Sequence, residues 1–189
     1  MACSPDLRKG FLFMQFSEKE LEDMMYDDLR YNGGSQMEHR GMQTAYSTAI
    51  QMGNIPKSKW LRQVAIGPYG IPDIVGYWRS GSNIVIELIE LKVVPITSQH
   101  FDQILRYKKG ISEHYGSRFK LHFWMHLVGP DISDGHYIHN EIRGLSLVEF
   151  KYDLTGINFT SHDHGWVRTD KSNFKQLKSL KDAETLHGY

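Results

Sequence analysis

Apolar side chains recur at helical spacing from Ser17 onward, with Leu21, Met24, Met25 and Leu29 forming one face behind Ser17 as N-cap and acids in the first turn. Asn32-Gly33-Gly34 ends that pattern. Ser35 and Glu38 have capping-box spacing, and Met42, Ala45, Tyr46, Ala49 and Ile50 then recur at helical intervals. A second continuous helix is expected there, stopping at Gly53 and Pro56. From Trp60 to Val94 the period shortens to β-branched and aromatic runs, interrupted by Gly67-Pro68-Tyr69-Gly70 and by Ser80-Gly81-Ser82-Asn83, which predicts three successive strands. Thr97 to Tyr115 returns to helical spacing through Phe101, Ile104, Leu105 and Ile111, and Lys120 to Val128 reads as another strand. Beyond Pro130 comes a polar, histidine-containing loop. A hairpin follows from Leu145 to Tyr152 and Ile157 to Ser161 through Thr155-Gly156, then a short helix around Phe174 to Leu180.

The core order is therefore α, β, β, β, α, β, an α/β class with a mixed central sheet flanked by helices. One domain is expected over 1–189, with its core at about 35–128 and a β-hairpin and helix elaboration at about 130–189. The 22 basic and 22 acidic side chains cancel, so no whole-molecule positive field draws in nucleic acid, and such binding needs a local patch, a partner or bound metal ions. Cys3 is the single cysteine, which rules out an intrachain disulfide and a cysteine zinc site and suits a reducing, cytoplasmic setting. The early apolar run Phe11 to Phe16 is short and broken by Gln15, unlike a signal peptide or a membrane span.

The candidate chemistry lies on the second and third strands. Pro72-Asp73 opens one, and Glu90-Leu91-Lys92 lies near the end of the next. Alternation along a strand points Glu90 and Lys92 to one face and Leu91 to the other. If the turn is centred between Gly81 and Ser82, Arg79 faces Ile84 and Asp73 falls opposite Glu90, with β-carbons roughly 5 Å apart. Two adjacent carboxylates repel unless a cation lies between them. Mg²⁺ or Mn²⁺ suits such a site, with the Leu91 carbonyl as an additional oxygen ligand and Lys92 beside the attacking water. Glu87, three residues from Glu90, faces the opposite side of its strand and reads as structural.

In their order and strand context these residues resemble the PD-(D/E)XK nuclease superfamily, whose restriction-endonuclease-like core has the order αβββαβ. The likeness covers about 35–128. Gln103-Ile104-Leu105-Arg106-Tyr107 resembles the Q-x-x-x-Y element of RecB-type members, and Glu38 falls where many members carry a further acidic metal ligand. The resemblance implies a metal-dependent nuclease hydrolysing phosphodiester bonds. Asp73, Glu90, Lys92, Glu38, Gln103 and Tyr107 would then be catalytic, and Asp73, Glu90, Leu91 and Glu38 would hold the metal. DNA is the implied partner, with RNA open, and Arg106, Lys108 and Lys109 are candidate phosphate contacts.

Rival readings assign the same residues differently. A nuclease fold retained for nucleic-acid binding or assembly, alone or with a homo-oligomeric or protein partner, fits the neutral charge. A histidine-zinc hydrolase would draw on His136 with His139 or His162 with His164, joined by His122 and His126. Glu38 has a competing role as the capping-box partner of Ser35. The terminal lysines Lys171, Lys175, Lys178 and Lys181 fit a solvated helix face, and Trp78 and Trp124 fit the core.

Overall fold

The computed structural model of the chain describes residues 17–51, 58–80, 82–133, 142–153 and 156–162. The helix at Phe174–Leu180, the early apolar run and the terminal lysines lie outside these residues. The first predicted helix forms as α1, Glu18–Asn32. The Ser17 hydroxyl accepts from the Glu20 amide while the Glu20 carboxylate accepts from the Ser17 amide, so two otherwise orphaned donors are satisfied together. Gly33 closes the helix at φ 64°, a left-handed conformation that a side chain would resist.

The next stretch departs from expectation. Instead of one helix from Ser35 there are two short ones, α2 over Ser35–His39 and α3 over Ala45–Gln51. Gly34, not Ser35, is the N-cap of α2, and no side chain caps it, so the predicted Ser35/Glu38 box does not form. Asp28 of α1 takes over that task, accepting from the amides of Gln36 and Met37. The break between the helices is anchored from a distance. The Phe159 amide donates to the Arg40 carbonyl, and at Gly41 (φ 101°) a β-carbon would lie 2.2 Å from the Phe159 carbonyl oxygen. Tertiary contact has overridden a continuous helical period.

Six strands among the described residues form one sheet in chain order: β1 Ser58–Arg62, β2 Ile74–Ser80, β3 Asn83–Leu91, β4 Lys120–Gly129, β5 Leu145–Asp153 and β6 Gly156–His162. Strands β1 to β3 are antiparallel, β3, β4 and β5 run parallel, and β6 turns back against β5. The long helix α4, Ser98–Tyr115, makes the crossover between β3 and β4 that a parallel pair requires. The C-terminal hairpin therefore extends the core sheet edge to edge.

Both faces of the sheet are covered. On one, Leu21, Met25 and Leu29 of α1 pack with Met37 and Met42 against Trp60, Ile74, Ile89, Leu91, Val128 and Val148. Beside them Ala45 meets Trp78, Val85 and Trp124, so both tryptophans are core residues as expected. On the other face, Phe101, Ile104, Tyr107 and Ile111 of α4 pack against Val75, Ile86, Leu88, Met125 and Leu127. No helix among the described residues is long and apolar enough to cross a membrane.

One close approach fixes the β1 edge. Trp60 pairs directly with Gly76, and its ring lies where a β-carbon on Gly76 would be 2.4 Å away. Gly76→Ala should therefore cost about 1–3 kcal/mol by overpacking, read as a lower denaturant midpoint. Adding Trp60→Leu to it should recover part of that loss, and strictly additive effects would show that the two sites do not meet.

Candidate active site

The β2–β3 pairing runs from Ser80↔Asn83 to Ile74↔Ile89 and includes the predicted Arg79↔Ile84. One residue further out, Asp73 comes opposite Glu90, on the face covered by α4. Both carboxylates are buried, Asp73 at 6% and Glu90 at 1% exposure. Lys92 follows the last residue of β3, and its amide donates to the Val128 carbonyl, which carries the parallel ladder past the strand end. From there its ammonium donates to Glu90 Oε1 and to the Leu91 carbonyl, each at 2.7 Å, and lies 4.0 Å from Asp73 Oδ2. Asp73 Oδ2 also accepts from the Leu91 amide at 2.7 Å. Asp73, Glu90, Leu91 and Lys92 are thus brought together.

Gln103 and Tyr107 overlook the same cluster from α4. The Gln103 amide donates to the Tyr107 hydroxyl, which donates in turn to the Ile71 carbonyl at 3.1 Å, tying α4 to the approach of β2. Burial pushes the Tyr107 hydroxyl pKa up, and the charges of Glu90 and Asp73 add to that. His100 sits one turn before Gln103, with its Nδ1 accepting from the Thr97 amide. Burial and then the nearby Lys92 charge push its pKa down.

Glu38 is not brought to this cluster. Among the described residues no hydrogen bond, ion pair or charge interaction joins it to Asp73, Glu90 or Lys92. The Arg40 that follows α2 donates instead to the Ile157 carbonyl of β6. The helix acids that do arrive come from α1: Glu18 lies 3.6 Å from the Lys92 ammonium, and Glu22 accepts from Gln63, which also donates to Asp73 Oδ1. Sequence reading missed Glu18, Glu22 and Gln63. The available signal was the i, i+4 spacing of Glu18 and Glu22 on a helix whose cap was already legible, with Glu22 beside the buried Leu21.

Of the proposed phosphate contacts, Arg106 is exposed on α4, Lys108 lies over the Phe123 ring, and Lys109 is 3.8 Å from Glu113. The histidine-zinc arrangement does not assemble: among the described residues no three His, Cys, Asp or Glu groups are placed to hold one metal ion, the acids around Lys92 included. His126 is committed to Glu87 at 2.8 Å and His122 lies 3.3 Å from Asn83, while His136, His139 and His164 fall outside these residues. Glu87 is structural as expected: fully buried, it accepts from the Ala45 and Tyr46 amides at the start of α3 and meets His126.

Electrostatics set the site apart. Desolvation, with the Asp73 charge second, outweighs the Lys92 interaction and raises the Glu90 pKa from 4.5 to about 7. Burial raises Asp73 as well, opposed by the Leu91 amide, Lys92 and Gln63. Burial disfavours the Lys92 ammonium, yet its hydrogen bond to Glu90 and the charges of Glu90, Asp73 and Glu18 together lift its pKa. Glu90 Oε2 is buried with no hydrogen-bond partner among the described residues. The donors gathered here are all oxygens: two carboxylates, one of them with a free buried oxygen, and the Leu91 carbonyl. That set fits a hard divalent cation such as Mg²⁺ or Mn²⁺, which takes one or two carboxylates and completes its shell from water or substrate.

No protein-family model matches the chain, and no curated protein matches it. Among solved structures, a repair endonuclease from Pyrococcus abyssi is similar over 71% of this chain and 46% of its own, at 22% identity and a TM-score of 0.44. The EndoMS-dsDNA2 complex is similar over 53% of this chain and 40% of its own, at 27% identity and a TM-score of 0.36. The chain spans less than half the length of either.

A carboxyl whose pKa is raised on folding binds more protons in the folded than in the unfolded state, so its contribution to stability falls as pH rises from 4.5 through about 7. Metal-free protein should lose on the order of 3 kcal/mol from Glu90 across that window. Glu90→Gln should flatten this part of the profile in denaturant titrations with EDTA between pH 5 and pH 8. A variant curve parallel to the wild-type curve would show that Glu90 does not carry the effect.

Proposed function

We propose that this chain is a divalent-metal-dependent nuclease of the PD-(D/E)XK type, hydrolysing phosphodiester bonds of DNA at the Asp73–Glu90–Lys92 cluster. The observation that carries the reading is the buried Glu90 Oε2, without a hydrogen-bond partner among the described residues, beside Asp73 and the Lys92 ammonium. A structural ion-pair network satisfies its acids, as Glu87 does three residues earlier, whereas this one leaves negative charge uncompensated in a desolvated place. Asp73, Glu90 and the Leu91 carbonyl would hold Mg²⁺ or Mn²⁺, while Glu18 of α1 adds negative charge beside Lys92 and is not placed as a third acidic ligand. When bound, the cation supplies charge neutralisation at a phosphate oxygen, an acidified water and stabilisation of the departing oxygen.

The chain's own groups do the rest. Lys92 is protonated in this arrangement and is positioned as a donor, so it orients a water and holds a phosphate oxygen. Tyr107 and Gln103, joined to each other on the facing helix, present a hydroxyl and an amide to the same space. Apolar burial around Glu90 keeps the dielectric low and strengthens each of these interactions.

Asp73→Ala and Glu90→Ala should each abolish metal-dependent cleavage of linear and circular DNA while the protein stays folded, and Mn²⁺ binding should weaken in parallel. Full activity in either purified variant would refute the site. Lys92→Met keeps the aliphatic stem and removes the charge, so metal and DNA should still bind while single-turnover cleavage falls by roughly 10² or more. Lys92→Arg should rescue this only in part, because a planar, bulkier guanidinium misplaces the water. If Lys92 only neutralised the two acids, Arg would restore full activity and Met would mainly lower the melting temperature.

A further inference from the structure

Gln63 is the one non-glycine residue with positive φ among the described residues, at 52°, a left-handed conformation that is costly for a side chain other than Asn or Asp. It follows β1, and its amide donates to the Asp73 carbonyl at 3.0 Å, continuing the β1–β2 ladder one residue past Arg62↔Ile74. This turn aims its side chain between two elements. Nε2 donates to Glu22 Oε2 of α1 at 2.8 Å and to Asp73 Oδ1 at 3.2 Å. Strain of this kind persists where surrounding structure over-determines it, and it concentrates at functional sites.

We propose that Gln63 is a positioning residue for the cation site; the inference rests on the metal-binding role of Asp73 proposed above. Asp73 takes one donor on each oxygen, Gln63 on Oδ1 and the Leu91 amide on Oδ2, which fixes the plane of the carboxylate. Each oxygen keeps a further lone pair for a cation. The neutral amide is what this task requires. With two N–H groups it bridges two carboxylates without cancelling their charge, whereas a lysine or arginine there would hold them and also compete with the metal. Partners behind metal ligands typically control affinity or activity by 10–100-fold.

The test separates the backbone from the side chain. In the 189-residue chain, Gln63→Gly removes a donor from two carboxylates but suits positive φ, and the two effects oppose each other, so in EDTA it should stay cooperatively folded with a melting temperature close to wild type. Calorimetric titration with Mn²⁺ alone should then show roughly 10–100-fold weaker binding than wild type. Unchanged affinity in Gln63→Gly, alongside lost binding in Asp73→Ala, overturns the positioning role and leaves the metal site standing. If the glycine variant melts well below wild type, Gln63→Asn is titrated instead. Asn tolerates the left-handed turn yet is one methylene too short to span both acids, so it too should bind Mn²⁺ more weakly, and wild-type affinity would again overturn the proposal. No Mn²⁺ binding by wild type, or undiminished binding by Asp73→Ala, overturns the metal site and the positioning role with it.

Discussion

Burying two carboxylates side by side costs several kcal/mol unless donors or cations are held against them, because each loses its hydration and each repels the other. At the ends of β2 and β3 the protein meets only part of that cost. Asp73 is served by a main-chain amide and by Gln63, and Glu90 by Lys92 on one oxygen. The Lys92 ammonium is shared among Glu90, the Leu91 carbonyl and the more distant Asp73 and Glu18, so no acid has it alone. Burial and that remaining deficit raise the Glu90 pKa to about 7.

Strand β3 carries its own control experiment. Glu87 and Glu90 are three residues apart, so they project from opposite faces of the sheet, and both are buried. Glu87 accepts from two amides at the start of α3 and faces His126, a closed arrangement that fixes α3 on the sheet. Glu90 has one oxygen paired and one not. Residue type, strand and burial are alike, so what distinguishes the two acids is how many donors the opposing element supplies. α3 presents main-chain N–H groups to Glu87. On the other face, α4 presents Gln103, which donates to Tyr107, and Tyr107, which donates to the Ile71 carbonyl, and among the described residues Glu90 Oε2 is left without a donor.

Helix α1 has a double task. Its apolar stripe packs on the face opposite α4, yet its N-terminal turns reach the strand ends, where Glu18 and Glu22 add acids and Gln63 links Glu22 to Asp73. The capping box at Ser17 and Glu20 thus does more than start a helix. By fixing the first turn it sets where Glu18 stands relative to Lys92.

The sequence by itself determined the element order from Ser17 to Ser161, the three antiparallel strands, the crossover helix and the juxtaposition of Asp73, Glu90 and Lys92. These were legible because each rests on short-range rules: alternation along a strand, and a register fixed by a tight turn only a few residues from both acids. The Gln103–Tyr107 pair was legible for the same reason, being four apart on one helix. Only the tertiary structure decided that the stretch from Ser35 to Gln51 breaks into two helices, since the break is anchored at Arg40 by Phe159, a partner distant in the chain. It also decided that the acids beside Lys92 come from α1 and not from Glu38, and that Gln63 joins them. Those contacts join residues from roughly 10 to 120 positions apart, and side-chain packing across the sheet, which leaves no periodic trace in the sequence, selects them.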